Sequence, residues 1–161
     1  MVKRFGYALV ILAIACALAM AQDAAKKSET QPQPSQQTAS NVSPYSGMYS
    51  FLKEGELVQV TVEDDGSVNG FISRYQNGDK GNFVDQFFKS GKIDGDKLSF
   101  STKPVAGISF DFSGTVVRGE GKNPGDEGYY VLDGTLTENV TDASKKTTSS
   151  SQPVKFKSFP K

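Results

Sequence analysis

Residues 57–71 read LVQVTVEDDGSVNGF, and this stretch decides the fold class. Val58, Val60 and Val62 alternate with polar residues, which is the two-residue period of a β-strand that buries one face. Asp65-Gly66 is a residue pair that tight hairpin turns favour, and apolar Val68 follows it. The stretch therefore predicts two antiparallel strands joined by a short turn.

The same alternation recurs along the chain, and helical periodicity is nearly absent. Ile108, Phe110 and Phe112 alternate with polar residues, and turn pairs such as Asp94-Gly95 separate the runs. Because the connections are short, consecutive strands are expected to be antiparallel neighbours. We predict an all-β fold, an eight-stranded antiparallel up-and-down meander that closes into a small barrel. The predicted strands lie near residues 46–52, 56–63, 67–75, 83–93, 97–103, 108–118, 128–138 and 153–159.

Two polar segments interrupt this pattern and are predicted as loops. Residues 76–82 form the longest early loop. Residues 141–152 contain a Ser/Thr run of low complexity, which is typical of a mobile hairpin tip.

Glycines at positions 47, 70, 91, 114 and 134 recur at intervals of 23, 21, 23 and 20 residues. They share the parity of the apolar residues on their strands, so they are expected to face the barrel interior. Inward glycine permits the sharp coiling by which a meander closes, and it also clears space for a ligand. We favour the first interpretation, and the second stays open.

The N-terminus has the organisation of a secretory signal peptide, predicted to span residues 1–21. Lys3 and Arg4 are basic, an apolar run follows, and small residues precede a cleavage site after Ala21. An uncleaved membrane anchor and lipidation at Cys16 are the alternatives. We expect an exported protein, periplasmic or extracellular.

The rest of the chain divides into two predicted segments. Residues 22–44 are rich in Gln, Ser and Pro and poor in large apolar side chains, which predicts a disordered leader. Residues 45–160 are predicted to form the barrel domain.

Composition argues against several chemistries. The chain has no histidine, and its one cysteine, Cys16, lies in the predicted signal peptide. The mature chain would then lack disulfides, thiolate catalysis, the commonest general base and the commonest metal ligand. Cleavage would leave 16 basic against 18 acidic residues, a balance that argues against nucleic acid and against an electrostatic membrane binder. We expect no cofactor and no metal ion.

Two short motifs, Gly47-Met48-Tyr49 and residues 65–70, resemble those of calycin-like barrels, the avidins and lipocalins. Gly47-Met48-Tyr49 is similar to their opening glycine-x-tryptophan, and residues 65–70, DGSVNG, resemble the turn and third-strand entry of avidins. The resemblance implies an up-and-down barrel with a pocket at one open end. The chain has no tryptophan, and Phe51 and Ile72 depart from the biotin-site pattern. The resemblance therefore implies the shape and not biotin binding.

The candidate binding residues flank the loop at residues 76–82. Arginine and aromatic side chains at a loop mouth suit a binding surface. Phe87 and Phe88 point to opposite faces, so one of them is expected to be exposed, or covered by a loop or partner. Lys89 breaks the inward apolar parity, which indicates either a pocket mouth or, as we favour, a β-bulge that resets the face. The predicted ligand- or partner-binding residues are Arg74, Tyr75, Asp85, Phe87, Phe88 and Lys89.

Two groups of polar residues invite sharper hypotheses. Oxygen ligands for calcium are offered by Glu120, Asn123, Asp126 and Glu127. Asp111 and Asp133 invite a glycosidase carboxylate pair. The first group matches no calcium-loop spacing, and both aspartates have outward parity. We interpret the first group as turn residues and the two aspartates as surface residues.

Two functions from different classes remain open, and an enzyme is the least favoured class. The first is an exported non-enzymatic binding module that holds a small apolar ligand in its barrel. The alternative is a structural or interaction protein of the cell envelope, with a fully packed barrel, that acts through loops and exposed aromatic residues. Large inward residues such as Phe100, Phe110 and Phe112 favour a filled interior, and the inward glycines favour space.

Overall fold

A computed structural model describes residues 43–161 apart from Asn77. The predicted signal peptide and all but the end of the predicted leader lie outside these residues. The strands are β1 (Gly47–Ser50), β2 (Leu57–Val62), β3 (Val68–Gln76), β4 (Asp79–Asp94), β5 (Lys97–Thr102), β6 (Ile108–Arg118), β7 (Tyr130–Thr141) and β8 (Thr147–Lys157). Nowhere in the described part of the chain is there a helix long and apolar enough to cross a membrane.

The eight strands form one sheet in the order of the sequence, and each strand is antiparallel to the next. The sheet curls until its first and last strands meet. Tyr49 of β1 bridges Ser158 just beyond β8, and the Phe159 N–H donates to the Met48 carbonyl at 2.8 Å. The predicted all-β up-and-down meander that curls into a small barrel is confirmed.

The predicted alternation sets the core. Val58, Val60 and Ile72 are fully buried, and Gln59 and Thr61 point to the outer face. Burying each such side chain contributes about 1.5–3 kcal/mol relative to its exposed state. The other core residues with 3% exposure or less are Tyr49, Val68, Leu98, Phe100, Phe110, Phe112, Leu132, Leu136 and Phe156.

Strand β4 begins earlier than predicted, and it contains the predicted bulge. It begins at Asp79 and not near residue 83, so the predicted loop at 76–82 shortens to a turn. Tyr75 pairs with Phe83, and their ring centroids lie 4.5 Å apart. This contact holds β3 and β4 together next to the polar residues at the start of β4. Phe88 pairs with Thr102 and Ser90 with Ser101, which leaves Lys89 unpaired. This register shift is the β-bulge that the sequence analysis favoured.

The hairpin tip between β7 and β8 is largely strand, so the prediction of a loop at residues 141–152 is wrong. Side-chain hydrogen bonds across the two strands replace apolar packing there. Thr137 and Ser151 hydroxyls lie 2.8 Å apart, and the Ser149 hydroxyl donates to the Asn139 amide oxygen at 2.6 Å. Cross-strand pairs of this kind stabilise a sheet whose side chains are polar and exposed.

Candidate functional site

Aromatic rings fill the interior of the barrel. Phe88 stacks on Phe100 with ring centroids 4.3 Å apart, and Phe100 stacks on Phe112 at 5.3 Å. Phe112 contacts Phe156 at 5.8 Å, and Phe156 contacts Phe51 at 5.1 Å. These side chains occupy the space that a ligand inside the barrel would need.

The inward glycines permit close approach and do not leave space. Gly114 and Gly134 are paired on β6 and β7, and a Cβ on Gly114 would lie 2.7 Å from both the Gly134 Cα and the Phe112 ring. A Cβ on Gly70 would lie 2.9 Å from the Phe88 ring. Side-chain atoms do not approach so closely without displacing a neighbour. At these positions the structure supports bending and packing, and it contradicts the ligand-space interpretation.

A buried polar cluster closes the end of the barrel where β3 and β5 finish. Gln86 is fully buried, and its amide oxygen accepts a hydrogen bond from Arg74 Nε at 3.1 Å. Its amide nitrogen contacts the Thr102 hydroxyl at 2.9 Å and the carbonyls of Lys103 and Ile108 at 2.9 and 2.8 Å. The cluster satisfies its own polar groups, so it ties the strands together.

Glu56 closes the same end from the start of β2. Its carboxylate accepts hydrogen bonds from the Lys53 and Tyr75 N–H groups, each at 3.1 Å. Burial lowers the pKa of Arg74, and the charges of Glu138 and Glu56 act in the opposite direction. This end of the barrel is therefore occupied by internally bonded polar side chains.

The structure separates the six predicted binding residues into two groups. Arg74 and Phe88 face the interior, where Arg74 bonds Gln86 and Phe88 stacks on Phe100. Four residues face outward: Tyr75, Asp85, Phe87 and Lys89. The six side chains therefore do not line one site.

Four aromatic side chains on the outside of β3 and β4 form a patch, here called the outer aromatic face: Phe71, Tyr75, Phe83 and Phe87. The Phe71 and Phe87 ring centroids are 5.7 Å apart, and Tyr75 contacts Phe83. Phe83 is 48% exposed and Phe87 is 57% exposed. Two exposed aromatic rings beside two half-buried ones make this face a candidate contact surface.

A groove lies at the other end of the barrel, beside the junction of β1 with the end of β8. It encloses about 370 Å³, and we call it the end groove. Its apolar lining residues are Pro44, Met48, Tyr49, Pro124, Tyr129, Tyr130 and Phe159, and its polar ones include Ser46, Asp126 and Lys161. A volume of this size lies within the range of small-molecule sites.

Tyrosines build one wall of the end groove. The Tyr45 and Tyr130 rings pack edge to face at 5.1 Å, and Tyr129 packs against Tyr130 at 4.7 Å. The Tyr49 hydroxyl donates to the Tyr45 carbonyl at 2.6 Å, and burial raises the pKa of Tyr49 well above its ordinary value. The guanidinium of Arg118, at the end of β6, lies 3.2 Å from the centroid of the Tyr129 ring, a cation–π contact that fixes this ring.

The loop before β7 positions the rest of the groove. The Asp126 carboxylate accepts hydrogen bonds from the N–H groups of Lys122 at 3.0 Å and Asn123 at 2.8 Å. The carboxylate thus caps its own loop, in agreement with the turn interpretation of these residues. Residues 43–161, where the structure describes them, contain no cluster of three or more acidic, cysteine or histidine residues arranged to hold a metal ion.

The two aspartates considered as a catalytic pair lie apart on the outer surface. Asp111 bonds Ser101 and Asn139, and Asp133 forms an ion pair with Lys155 at 2.9 Å. In the β6–β7 register, Asp111 faces Thr137, so the two carboxylates are not cross-strand partners. Their interpretation as surface residues agrees with the structure.

Apart from Arg74, the residues of the end groove and of the buried polar cluster were not among the predicted site residues. For the groove, the available signal was Tyr129-Tyr130 directly after a glycine-rich loop. For the cluster, the signal was the shared parity of Gln86 and Phe88, which becomes readable only once the bulge at Lys89 is located.

Comparison with known proteins places the fold among the avidin-type β-barrels. The rhizavidin–biotin complex superposes with a TM-score of 0.54 at 13% identity, over 72% of this chain and 92% of that one. Apo short afifavidin gives a TM-score of 0.54 at 11% identity, over 73% and 97%. The expected resemblance in shape is therefore confirmed. No protein-family model and no curated protein matches the chain.

Proposed function

We propose that this chain is an exported, non-enzymatic binding module that holds a small apolar ligand in the end groove and not inside the barrel. The observation that carries the proposal is the tyrosine- and proline-lined groove of about 370 Å³ beside a filled interior. Small-molecule sites are concave, mostly apolar and largely pre-formed. The groove has these properties, and its tyrosine wall is fixed by ring contacts.

The side chains of the groove indicate the kind of ligand. Met48, Tyr129 and Phe159 offer apolar and aromatic surface, on which a flat ring or an aliphatic chain would pack. Ser46 and Lys161 offer polar groups that could fix the orientation of a polar end. The ligand class is therefore a small, mostly apolar molecule with one polar end.

The similar solved structures support a binding role for this fold. Rhizavidin was solved as a complex with biotin, on the same type of barrel. The present chain has no tryptophan, and phenylalanine rings fill its interior. A ligand that differs from biotin and sits at the barrel end fits these differences.

A non-enzymatic role fits the groups present in the groove. The chain has no histidine, the Asp126 carboxylate caps its own loop, and the buried Tyr49 hydroxyl is held in its protonated form. These groups offer no general base near neutral pH. Export is supported by the signal-peptide pattern of residues 1–21.

The proposal is tested by native mass spectrometry of the protein purified from its own host. Met48 lines the groove and is 46% exposed, and Leu52 is 40% exposed away from it. We expect a bound small molecule in the wild type and in Leu52→Glu, and its loss in Met48→Glu. A ligand-free wild type, or a ligand that persists in Met48→Glu, would refute a ligand in this groove.

A second candidate function is contact with a protein partner through the outer aromatic face. The clustering of the exposed Phe83 and Phe87 with Phe71 and Tyr75 favours it, because contiguous apolar patches are typical of interaction sites. A filled barrel is compatible with both candidates, since neither needs the interior.

A further inference from the structure

Strand β8 continues beyond the strand that it meets across the seam of the barrel. At the seam, the Lys157 N–H donates to the Ser50 hydroxyl at 2.9 Å, and the Phe159 N–H donates to the Met48 carbonyl at 2.8 Å. β1 ends at Ser50, where the chain turns into the loop before β2. Among the residues that the structure describes, no strand pairs with this side of β8 from residue 147 to residue 155.

The hydrogen bonds at the seam show which backbone groups lie on this open side. In an antiparallel strand, the N–H and C=O of one residue point to the same neighbouring strand, and those of the next residue point the other way. Lys157 and Phe159 donate toward β1, and Ser158 between them donates to the Tyr130 carbonyl of β7. The pairing of β7 with β8 runs without a register shift, so odd-numbered residues face the open side along the strand.

Residues 147–151 make up the usable part of this open side, here called the β8 edge. The backbone groups of Thr147, Ser149 and Ser151 point outward from it, over a length of about 13 Å. Pro153 has the same parity and carries no N–H, so the run of donors is interrupted there. Proline at an edge limits uncontrolled strand pairing, and here it leaves a short, defined ladder.

We propose that the β8 edge binds an extended peptide segment of a partner protein, which adds a strand to the sheet. Each outward residue offers one N–H donor and one C=O acceptor. The backbone of an extended peptide carries the same groups at the same spacing, and it is therefore the complement of this edge. Residues 141–153 are exposed, so nothing in the described chain blocks the approach. The edge lies apart from the end groove and from the outer aromatic face.

The side chains around the β8 edge indicate which peptide fits. Its serine and threonine residues offer hydroxyl groups and little apolar surface. Lys145 and Lys146 lie in the turn at one end of the edge, exposed and without an ion pair among the described residues. The Asp142 carboxylate beside them accepts hydrogen bonds from its own turn, and the half-buried Glu138 acts on Arg74 inside the barrel. A polar peptide with an acidic residue near the turn is therefore the favoured partner.

A second copy of the chain fits the β8 edge less well. Two β8 strands that paired antiparallel about Ser149 would set Lys145 and Lys146 of each chain within a few residues of Lys155 of the other. Like charges that meet in this way at an interface are unfavourable.

Binding of a designed peptide to the full-length gene product, in the form its host produces, tests the proposal. The probe is acetyl-ETVTVTE-amide. A copy that is N-methylated at its internal amides keeps the side chains and loses the donors, and we expect it to bind at least about tenfold more weakly. Amide hydrogen exchange of the protein, followed by NMR, should slow at least about tenfold at Ser149 and Ser151 when the parent peptide binds. The Ser150 and Gln152 amides, which face β7, should be slow with and without it.

A matched pair of variants separates backbone pairing from side-chain contact. Ser151→Pro removes an outward N–H, and Pro153 shows that the strand accepts proline at this parity. Ser151→Ala removes only the hydroxyl, which contacts Thr137. We expect Ser151→Pro to weaken peptide binding at least about fivefold and Ser151→Ala to leave it within about twofold, with wild-type circular dichroism in both. The methylated peptide tests the same point with the protein unchanged.

A charge variant tests the preference for an acidic peptide. Lys146→Glu is expected to weaken binding of acetyl-ETVTVTE-amide at least about threefold and to strengthen binding of acetyl-KTVTVTK-amide. Lys92→Glu makes the same change at an exposed position on β4, and it should alter neither.

Several results would overturn the proposal. They are no binding of the parent peptide up to about 1 mM, a methylated copy that binds as well, and equal effects of Ser151→Pro and Ser151→Ala. Slow exchange at Ser149 and Ser151 without peptide would also overturn it, because the edge would then already be occupied. Protection that rises with protein concentration would identify a second copy there, and constant protection would identify another part of the chain. Ligand binding in the end groove does not depend on any of these outcomes.

Discussion

Gln86 lies fully buried in the barrel, and its side-chain amide joins Arg74 on β3 to Thr102 on β5. The same amide also bonds the carbonyls of Lys103 and Ile108. A buried donor or acceptor that loses its partner costs about 1–3 kcal/mol, so the cost of removing this amide falls on several groups at once. The residue therefore links β3, β4 and β5 at this end of the barrel.

Replacement of Gln86 by leucine is expected to lower the free energy of unfolding by about 2–4 kcal/mol. Arg74 Nε and the Lys103 carbonyl would lose their bonds to this amide, and the Ile108 carbonyl would keep only its bond from the Val105 N–H. Urea unfolding followed by circular dichroism measures the change. Gln59→Leu, on the partly exposed outer face of β2, is the matched control and should change stability by less than about 0.5 kcal/mol. Equal effects from the two variants would contradict the role of the cluster.

For single residues, the sequence predicts which apolar side chains lie inside the barrel, but it does not predict which polar side chains do. Val58 and Phe110 could be placed inside because their alternation is unbroken. Lys89 interrupts the alternation of β4, and parity alone leaves open whether Phe87 or Phe88 is the inner residue. The bulge makes Phe88 the inner one, and Gln86 follows it inward. A bulge depends on pairing with β5, which a local pattern does not contain.

The strand pair β6–β7 is held close by glycine on both sides. Gly114 faces Gly134, and the Phe112 ring covers both of them. Packing an aromatic ring over paired glycines compensates for their missing side chains. The sequence predicted these glycines on the inner face, and the structure adds that a phenylalanine ring uses the space above them.

Replacement of Gly114 by alanine is expected to destabilise the barrel by about 1–3 kcal/mol, because the added methyl group meets both backbone and ring. Gly81→Ala is the control, since its Cβ would meet only the Asp79 carboxylate at 3.5 Å. Thermal unfolding of the two variants measures the difference. A stable Gly114→Ala protein beside a destabilised Gly81→Ala protein would contradict the close approach of the strands.

The β7–β8 tip is an element that the sequence did not predict, because its side chains are polar on both faces. Its turn depends on Asp142, whose carboxylate accepts hydrogen bonds from the Ser144 hydroxyl at 2.6 Å and the Lys146 N–H at 3.0 Å. The Ser144 hydroxyl and then the Lys146 amide lower the pKa of Asp142. These bonds favour the charged carboxylate, so they stabilise the turn while it is ionised.

Acid should loosen this tip only at a pH below the ordinary range for aspartate. A carboxyl group whose pKa is lowered by folding contributes its stability above its unfolded pKa and loses it as the pH falls through the folded one. Carbon-13 NMR titration is expected to give Asp142 a pKa below that of an unfolded aspartate, with faster exchange of the Lys146 amide as it titrates. In Asp142→Asn this change in exchange should vanish. An ordinary or raised pKa at Asp142 would contradict the turn geometry.

For the whole molecule, the decisive feature is that an avidin-type barrel is filled with its own side chains. Alternation and turn pairs predicted the eight-stranded meander, because these signals are local. The end groove could not be predicted, since it forms where residues near Tyr49, Tyr130 and Phe159 meet only after the barrel closes. Because its own side chains fill the interior, the ligand site proposed here lies at the end of the barrel and not inside it.

The most direct test of this central claim is a crystal structure of the protein under xenon pressure. Xenon enters apolar cavities that lack packed side chains. We predict no xenon between Phe100 and Phe112 in the wild type. In a Phe112→Ala variant, which removes a ring from the stack, we predict xenon at that place. Xenon inside the wild-type barrel would contradict a filled interior and return the expected ligand site to the interior of the barrel.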